Sequence, residues 1–376
     1  MMKNKLIYLD NAATTYPKPR DVIRAVADSI VSCGNPGRGG HTLAMRAASQ
    51  MYDCRCEAAE LFGASANRVI FTSGATHSLN MAINAAHLTD GAILISDLEH
   101  NSVLRPALAT GREVRVFTSG LGFTDEDRTA MIIDSIRSQA DGASLLVCTA
   151  ASNICGATMP IGEIGRFCRE RGILFVVDGA QAGGVLDINV DSGCIDVLCL
   201  PAHKGLYGPM GCGLMILGEG VSLPPFMRGG SGIDSRSHDM PELPPERYEA
   251  GTLALPLIAG LRMGIGFVKK KTPSAIREHE RRLAALFRSR LPWERVKVYA
   301  PGHHGGIVLF SVKGMTSEEV AARLDEVGIC VRAGLHCAPL AHVTLGSEGA
   351  VRASFGVFNT EGEAMAAANA VARIIK

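Results

Sequence analysis

Between Val69 and Leu217 the chain repeats one alternation, a short apolar run of β type followed by a segment of helix length. The runs are Val69-Ile70-Phe71, Ala92 to Ser96, Glu113 to Phe117, Ser144 to Thr149, Ile173 to Val177, Ile195 to Cys199 and Gly213 to Leu217. Amphipathic stretches such as Met131 to Ser138 and Ile161 to Arg171 lie between them, the second followed by Gly172 in a C-cap position. Such alternation predicts βαβ units and a mostly parallel sheet covered on both faces, with ligands at the carboxyl ends of its strands. A Pro/Gly-rich excursion from Leu223 to Pro245 ends the pattern. After Pro256, helical stretches run to about Arg290. They are followed by β-type runs at Val296 to Tyr299 and Gly306 to Ser311, a helix near Ser317 to Glu326, runs near Ile329 and Val351, and a last helix after Thr360. Strict alternation is lost there, which predicts a smaller α+β domain. A chain of 376 residues has room for both.

Charge removes whole classes of partner. Basic and acidic residues number 38 and 37, so there is no global field to attract nucleic acid or an anionic membrane. No apolar stretch approaches the roughly 18 residues of a membrane span. The apolar run Leu6 to Leu9 is too short for a signal sequence, so a soluble cytoplasmic protein is expected. Eleven cysteines, an odd number with no CxxC pair, predict reduced thiols and no metal site.

Three segments carry candidate chemistry. Phe71-Thr72-Ser73-Gly74-Ala75-Thr76 is a strand, a small-residue turn and a helix start, the arrangement that offers free backbone N–H groups to a phosphate. Phe175-Val176-Val177-Asp178-Gly179-Ala180-Gln181 puts a carboxylate at a strand end, where it is equally a helix N-cap. In Pro201-Ala202-His203-Lys204-Gly205 a lysine stands between an apolar run and a glycine-rich turn, where alone it is as readily a solvated cation. Together they match the needs of pyridoxal 5'-phosphate: a phosphate cradle, a carboxylate for the ring nitrogen and a Schiff-base lysine.

With these residues in view the chain resembles the cysteine desulfurases, in the class V aminotransferase branch of fold-type I pyridoxal-phosphate enzymes. The resemblance rests on Tyr8 to Thr15, Asn35 to Leu43 with Arg38-Gly39-Gly40-His41-Thr42-Leu43, Glu99-His100-Asn101-Ser102, Ser152 to Gly156, Val177 to Ala182, His203 to Gly208, Glu249-Ala250-Gly251-Thr252, Val331 to Ala338 and Arg352-Ala353-Ser354. It implies a large pyridoxal-phosphate-binding α/β domain over 15–255. It also implies a small α+β domain made of 1–14 and 256–376. By the same resemblance Lys204 binds the cofactor covalently, Asp178 faces the pyridine nitrogen, Gln181 the ring hydroxyl and His100 the ring face. Ala75, Thr76 and His203 hold the phosphate, helped by Thr252 from the neighbouring subunit of a homodimer. Asn153 and Arg352 take the substrate carboxylate, and His41 joins the substrate-binding set. Pro201 and Ala150 depart from the family pattern, which has a serine and a histidine at those places.

Cys337 is the sulfur-handling candidate. Gly334 and Pro339 bracket it in a loop, and Arg332 and His336 are expected to support its thiolate, whereas Cys148, Cys168, Cys199 and Cys330 lie in apolar runs and read as inert. Arg352 lies 15 positions further on, a spacing that resembles the short-loop group of desulfurases, and Leu335 stands where that group commonly has a histidine. The resemblance implies conversion of L-cysteine to L-alanine with a persulfide on Cys337, passed to an acceptor protein. A selenocysteine lyase acting on L-selenocysteine is the runner-up, and a sulfur- or metal-binding protein without the cofactor is the alternative of another class.

Overall fold

The computed structural model of the chain describes residues 6–37, 39–85, 90–122, 125–233, 236–303 and 305–375. A first short strand, β1 (Ile7–Tyr8), stands apart from the main sheet. The next seven build that sheet: β2 (Val69–Thr72), β3 (Ala92–Ser96), β4 (Val114–Phe117), β5 (Ala143–Thr149), β6 (Leu174–Asp178), β7 (Val197–Pro201) and β8 (Gly213–Leu217). Their order is β2-β8-β7-β6-β5-β3-β4. The pairs from β4 through β3, β5 and β6 to β7 are parallel, and β8 runs antiparallel to both β7 and β2. All seven correspond to the apolar runs, with ends moved by a residue or two. Four of these strands, β2, β3, β7 and β8, are buried at every position, which is why they read as continuous apolar runs instead of alternating ones.

The helices that follow the strands begin at the carboxyl edge of the sheet: α3 (Ala75–Ala85) after β2, α4 (Asn101–Ala109) after β3, α5 (Asp125–Gln139) after β4 and α6 (Ile161–Arg171) after β5. Gly172 closes α6 with φ of 66°, a left-handed turn that costs glycine nothing. On the outside α1 (Arg20–Ser32) and α2 (Thr42–Phe62) pack against α7 (Leu255–Lys271). The Leu223–Pro245 excursion carries no helix or strand among its described residues.

A second, antiparallel sheet of order β12-β13-β10-β9 is built from β9 (Val296–Val298), β10 (Ile307–Val312), β12 (Arg332–Gly334) and β13 (Ala350–Ser354). It is covered by α8 (Pro273–Ser289), α9 (Ser317–Glu326) and α11 (Glu361–Ile374). Its own apolar core joins Leu283, Phe287, Val308, Phe310 and Val351 to Leu9 from the far end of the chain. Leu9 is there because β1 pairs in parallel with β11 (Ile329–Cys330) and Asp10 bridges to Ser354. One turn of helix, α10 (Pro339–Thr344), follows the Cys337 loop.

Candidate active site

Strand register sets the floor of the site. Thr149 at the end of β5 lies opposite Asp178 at the end of β6, and Asp178 lies opposite Cys199 two residues before the end of β7. The chain then turns, and His203 and Lys204 enter the same space as the turn after β2. A cavity of about 300 Å³ is lined by Gly74, Ala75, Thr76, His100, Asn153, Asp178, Gln181, His203 and Lys204. The sequence places these nine residues on five separate segments, and the fold brings them together. Gly74, at φ of 147°, lets the chain pass from β2 into α3, whose first N–H groups have no partner within the helix.

Burial governs the charges here. It lowers the Lys204 pKa to about 8, against the opposing pull of the Asp178 carboxylate. Burial raises Asp178, and the Ala180 N–H at 2.9 Å together with the Lys204 charge works the other way. His203 and His100 are each brought down to about 4, by burial first and then by the Lys204 charge. His203 is fixed through its carbonyl, which accepts from Thr15 N at 3.0 Å and Lys18 Nζ at 2.7 Å, while its ring Nδ1 is buried with no partner. His100 caps α4 by accepting from Ser102 N at 3.0 Å, and Gln181 Nε2 donates to the Ala12 carbonyl at 2.8 Å. An orphaned imidazole nitrogen beside a helix start, with a buried carboxylate and a buried amine across the cavity, fits a phosphorylated pyridine aldehyde.

Next to this cavity Asn153 and Arg352 form a second cluster. Arg352 is 2% exposed; its Nη1 donates to the Asn153 carbonyl at 2.9 Å and its Nη2 to Asp10 Oδ1 at 2.8 Å, and its Nε is buried without a partner. Asp10 also holds Arg332 through Oδ2 at 2.9 Å. Two guanidinium groups thus share one carboxylate, leaving a net positive charge and one open N–H for an anionic group.

Cys337 is exposed, and its carbonyl accepts the Asn101 N–H at 2.7 Å, one residue from His100. His336 departs from expectation. Its ring is buried, its Nδ1 meets His342 Nε2 at 3.2 Å, and burial followed by the Arg352 charge lowers its pKa to about 3. A neutral imidazole engaged inside the fold gives a thiolate no charge to lean on.

Two expected site residues lie elsewhere in the single chain. His41 caps α2, accepting from Ala44 N at 3.4 Å, and is not among the residues lining the Lys204 cavity. Thr252 lines a different cavity of about 680 Å³, together with Asn35, Tyr52, Arg55 and Glu249. Arg38 of the same motif lies outside the described residues. Asp10, Lys18 and Glu99 belong to the site's support and were given no role from sequence. Asp10 and Glu99 each follow closely on a short apolar run, and that placement is the one signal they carry. Among the described residues no group of three or more His, Cys, Asp or Glu side chains is arranged to hold a metal ion, and no helix is long and apolar enough to cross a membrane.

The class V aminotransferase family model matches residues 7–366. A probable cysteine desulfurase of Methanothermobacter thermautotrophicus is 31% identical over 373 residues, covering 95% of this chain and 92% of the relative. One from Pyrococcus abyssi is 31% identical, covering 96% and 92%. Among solved structures, the apo cysteine desulfurase of Thermococcus onnurineus superposes with a TM-score of 0.91 at 30% identity, covering 99% of this chain and 95% of that one. The Escherichia coli cysteine desulfurase solved in an S-sulfonic acid form gives 0.85 at 25% identity, covering 98% and 94%. With its matched length, its strand order and these relatives, the chain belongs to the class V aminotransferase family, in the branch of the cysteine desulfurases.

Proposed function

We propose that this protein uses pyridoxal 5'-phosphate to convert L-cysteine to L-alanine, collecting the sulfur as a persulfide on Cys337 for transfer to an acceptor protein. The observation that carries this reading is the bond between the Cys337 carbonyl and Asn101 N, which anchors the thiol's loop at the rim of the cavity that holds Lys204, Asp178 and His100. The names of the relatives support sulfur over selenium.

In this reading Ala75, Thr76 and His203 hold the cofactor phosphate, Asp178 pairs with the pyridine nitrogen, Gln181 with the ring hydroxyl, His100 covers the ring and Lys204 is the point of attachment. Bound there, the cofactor supplies a sink for the electron pair left when a proton leaves the substrate Cα. Arg352 and Asn153 take the substrate carboxylate, using the Arg352 Nε that is buried and open. Lys204, whose pKa near 8 lets it shed and regain a proton close to neutrality, accepts the Cα proton. The Cys337 thiolate then attacks the substrate sulfur. The S–S bond forms as the Cβ–S bond breaks, the electron pair of that bond staying on Cβ; the carbon fragment takes up one proton at Cβ, regains at Cα the one held by Lys204, and leaves as alanine, and the extra sulfur stays on Cys337. An acceptor thiol or a reductant then returns Cys337 to its starting state.

Thr252 is assigned to the phosphate of a neighbouring subunit in a homodimer, an assignment supported by its place on a cavity other than the one that holds Lys204. His41, at the start of α2, is proposed to meet the substrate from outside that cavity. A cytoplasmic setting belongs to the same proposal, in keeping with eleven free cysteines.

Turnover on cysteine and on selenocysteine, with alanine as the shared product, tests the function. Alanine and a Cys337 persulfide from cysteine are expected. Alanine from selenocysteine alone, or added sulfur on Cys155 or Cys212, overturns it.

A further inference from the structure

The Cys337 loop holds an unfavourable backbone. His336 and Cys337 are consecutive residues with φ of 52° and 55°, the left-handed region that side chains other than glycine's disfavour. Such a pair persists only where its surroundings fix it. The carbonyl of His336 accepts Asn153 Nδ2 at 2.9 Å and that of Cys337 accepts Asn101 N at 2.7 Å, so the two strained peptides are pinned to the two clusters of the site.

Beneath them runs a buried chain of polar groups. His336 Nε2 lies 3.3 Å from the Arg332 carbonyl, and its Nδ1 lies 3.2 Å from His342 Nε2. His342 Nδ1 lies 3.1 Å from Ser347 Oγ, which accepts Gly349 N–H at 3.2 Å. His342 is 1% exposed, and the two rings are stacked at 5.5 Å with 11° between their planes. The ends of this chain settle its protons. A carbonyl only accepts, so His336 carries its proton on Nε2 and offers a lone pair at Nδ1. His342 must therefore donate from Nε2 and accept at Nδ1, and the Ser347 hydroxyl donates to it. The donor and acceptor roles of all five groups are thereby fixed, and the polarity runs in one direction from Gly349 to Arg332. Burial lowers the pKa of both rings, in keeping with two neutral imidazoles.

We propose that His342 and Ser347 are positioning residues for the sulfur-transfer step, acting through His336 to hold Cys337 in its left-handed conformation. The proposal rests on the reading of Cys337 as the sulfur acceptor. It sets a requirement at position 342 that size alone does not meet: a side chain that donates toward His336 and accepts from Ser347. Glutamine meets it, since its amide nitrogen takes the place of Nε2, whereas leucine fills the space and strands two buried polar groups.

The experiment compares His342→Leu, His342→Gln and Ser347→Ala with the wild-type holoenzyme, by cysteine kinetics and by amide hydrogen exchange over residues 331–341. In His342→Leu, kcat for alanine formation is expected to fall about tenfold or more, because a nucleophile displaced by a fraction of an ångström loses its line of attack. KM for cysteine is expected to stay within about twofold, since substrate binding does not use Cys337. Exchange in the loop rises. His342→Gln restores both kcat and slow exchange, and Ser347→Ala, the smaller change if the leucine variant does not fold, moves both in the direction of leucine. Equal loss in the leucine and glutamine variants, unchanged loop exchange in both His342→Leu and Ser347→Ala, or a rise in KM that accounts for the loss overturns the proposal. Cys337→Ala, measured alongside, separates the two readings. If it retains desulfuration, the assignment of Cys337 fails, and the exchange data still decide whether His342 orders the loop.

Discussion

Asp10 Oδ1 accepts a hydrogen bond from Arg352 Nη2 at 2.8 Å, joining the end of the first strand to a guanidinium that lies 342 residues later in the chain. Arg352 has a side-chain exposure of 3%, so its charge has little water to fall back on. Removing one partner of a buried pair leaves the other uncompensated, at a cost of about 3 to 5 kcal/mol. Asp10→Ala is therefore expected to lower the unfolding free energy by about 3 kcal/mol, and Asp10→Asn by less, because the amide oxygen still accepts. Urea denaturation measures both. An unchanged midpoint for Asp10→Ala contradicts the role given to the pair.

Lys204 makes a prediction about pH in the cofactor-free protein. Its pKa falls from 10.5 to about 8 on folding, because burial disfavours the ammonium. Below pH 8 both states are protonated and the fold bears the whole cost of the buried charge. Between 8 and 10.5 the folded lysine has shed its proton while the unfolded one has not, so the cost fades as pH rises. Lys204→Met is expected to be more stable than the wild type at pH 7, by on the order of 3 kcal/mol, with the advantage declining toward pH 10.5. A variant equal to wild type at pH 7 rules this out. In the loaded enzyme, borohydride reduction and peptide mapping are expected to place the label on Lys204, and a label on Lys269, Lys270 or Lys271 contradicts the attachment site.

The strands of the main sheet were legible because most are buried along their length and bounded by turn residues, so burial wrote itself into consecutive positions; the edge strand β4, with Val116 exposed, is the exception. Their spatial order was not legible, and neither was the antiparallel course of β8, since both depend on pairings between distant segments. In the site, Lys204, Asp178 and the turn at Ser73-Gly74 stood out because each follows a strand directly. Asp10 did not, because its partners Arg332 and Arg352 are more than three hundred residues away. His336 misled for the opposite reason. It is adjacent to Cys337 in sequence, yet the paired left-handed residues leave the imidazole buried and the thiol exposed.

Substitution at Cys337 separates chemistry from packing. The residue is exposed and at φ of 55°, so Cys337→Ala is expected to change stability by less than about half a kcal/mol. Cys337→Gly is expected to be at least as stable as the alanine variant, because glycine avoids a left-handed penalty of about 1 kcal/mol. Alanine production from cysteine is expected to fall by orders of magnitude in both, with cofactor absorbance retained. Full desulfuration by either variant contradicts the covalent role.

Glu99 and Asp178 are two buried carboxyls that sense each other across the end of β5, and only one of them has the means to stay charged. Asp178 has the Ala180 N–H and the Lys204 ammonium on its side. Glu99 is fully buried, its Oε1 accepts from Ser96 Oγ and from Thr149 N at 2.7 Å, and its Oε2 has no partner. Burial carries its pKa from 4.5 to about 8, with the Asp178 charge adding to the rise. A carboxyl raised in this way contributes stability that is fully present below 4.5 and lost as the pH climbs to 8, because the unfolded chain ionises first. The loss over that window is on the order of 4 kcal/mol. Glu99→Gln keeps an accepting oxygen for Thr149 and Ser96 and cannot ionise, so its stability is expected to stay level where the wild type's falls. The two proteins are expected to be close at pH 5, with the glutamine variant ahead by several kcal/mol at pH 8. The shared contribution of Asp178 cancels in the difference. Denaturant titrations of the cofactor-free proteins at a series of pH values provide the test, and parallel curves from pH 5 to 8 show that Glu99 is not held protonated by the fold.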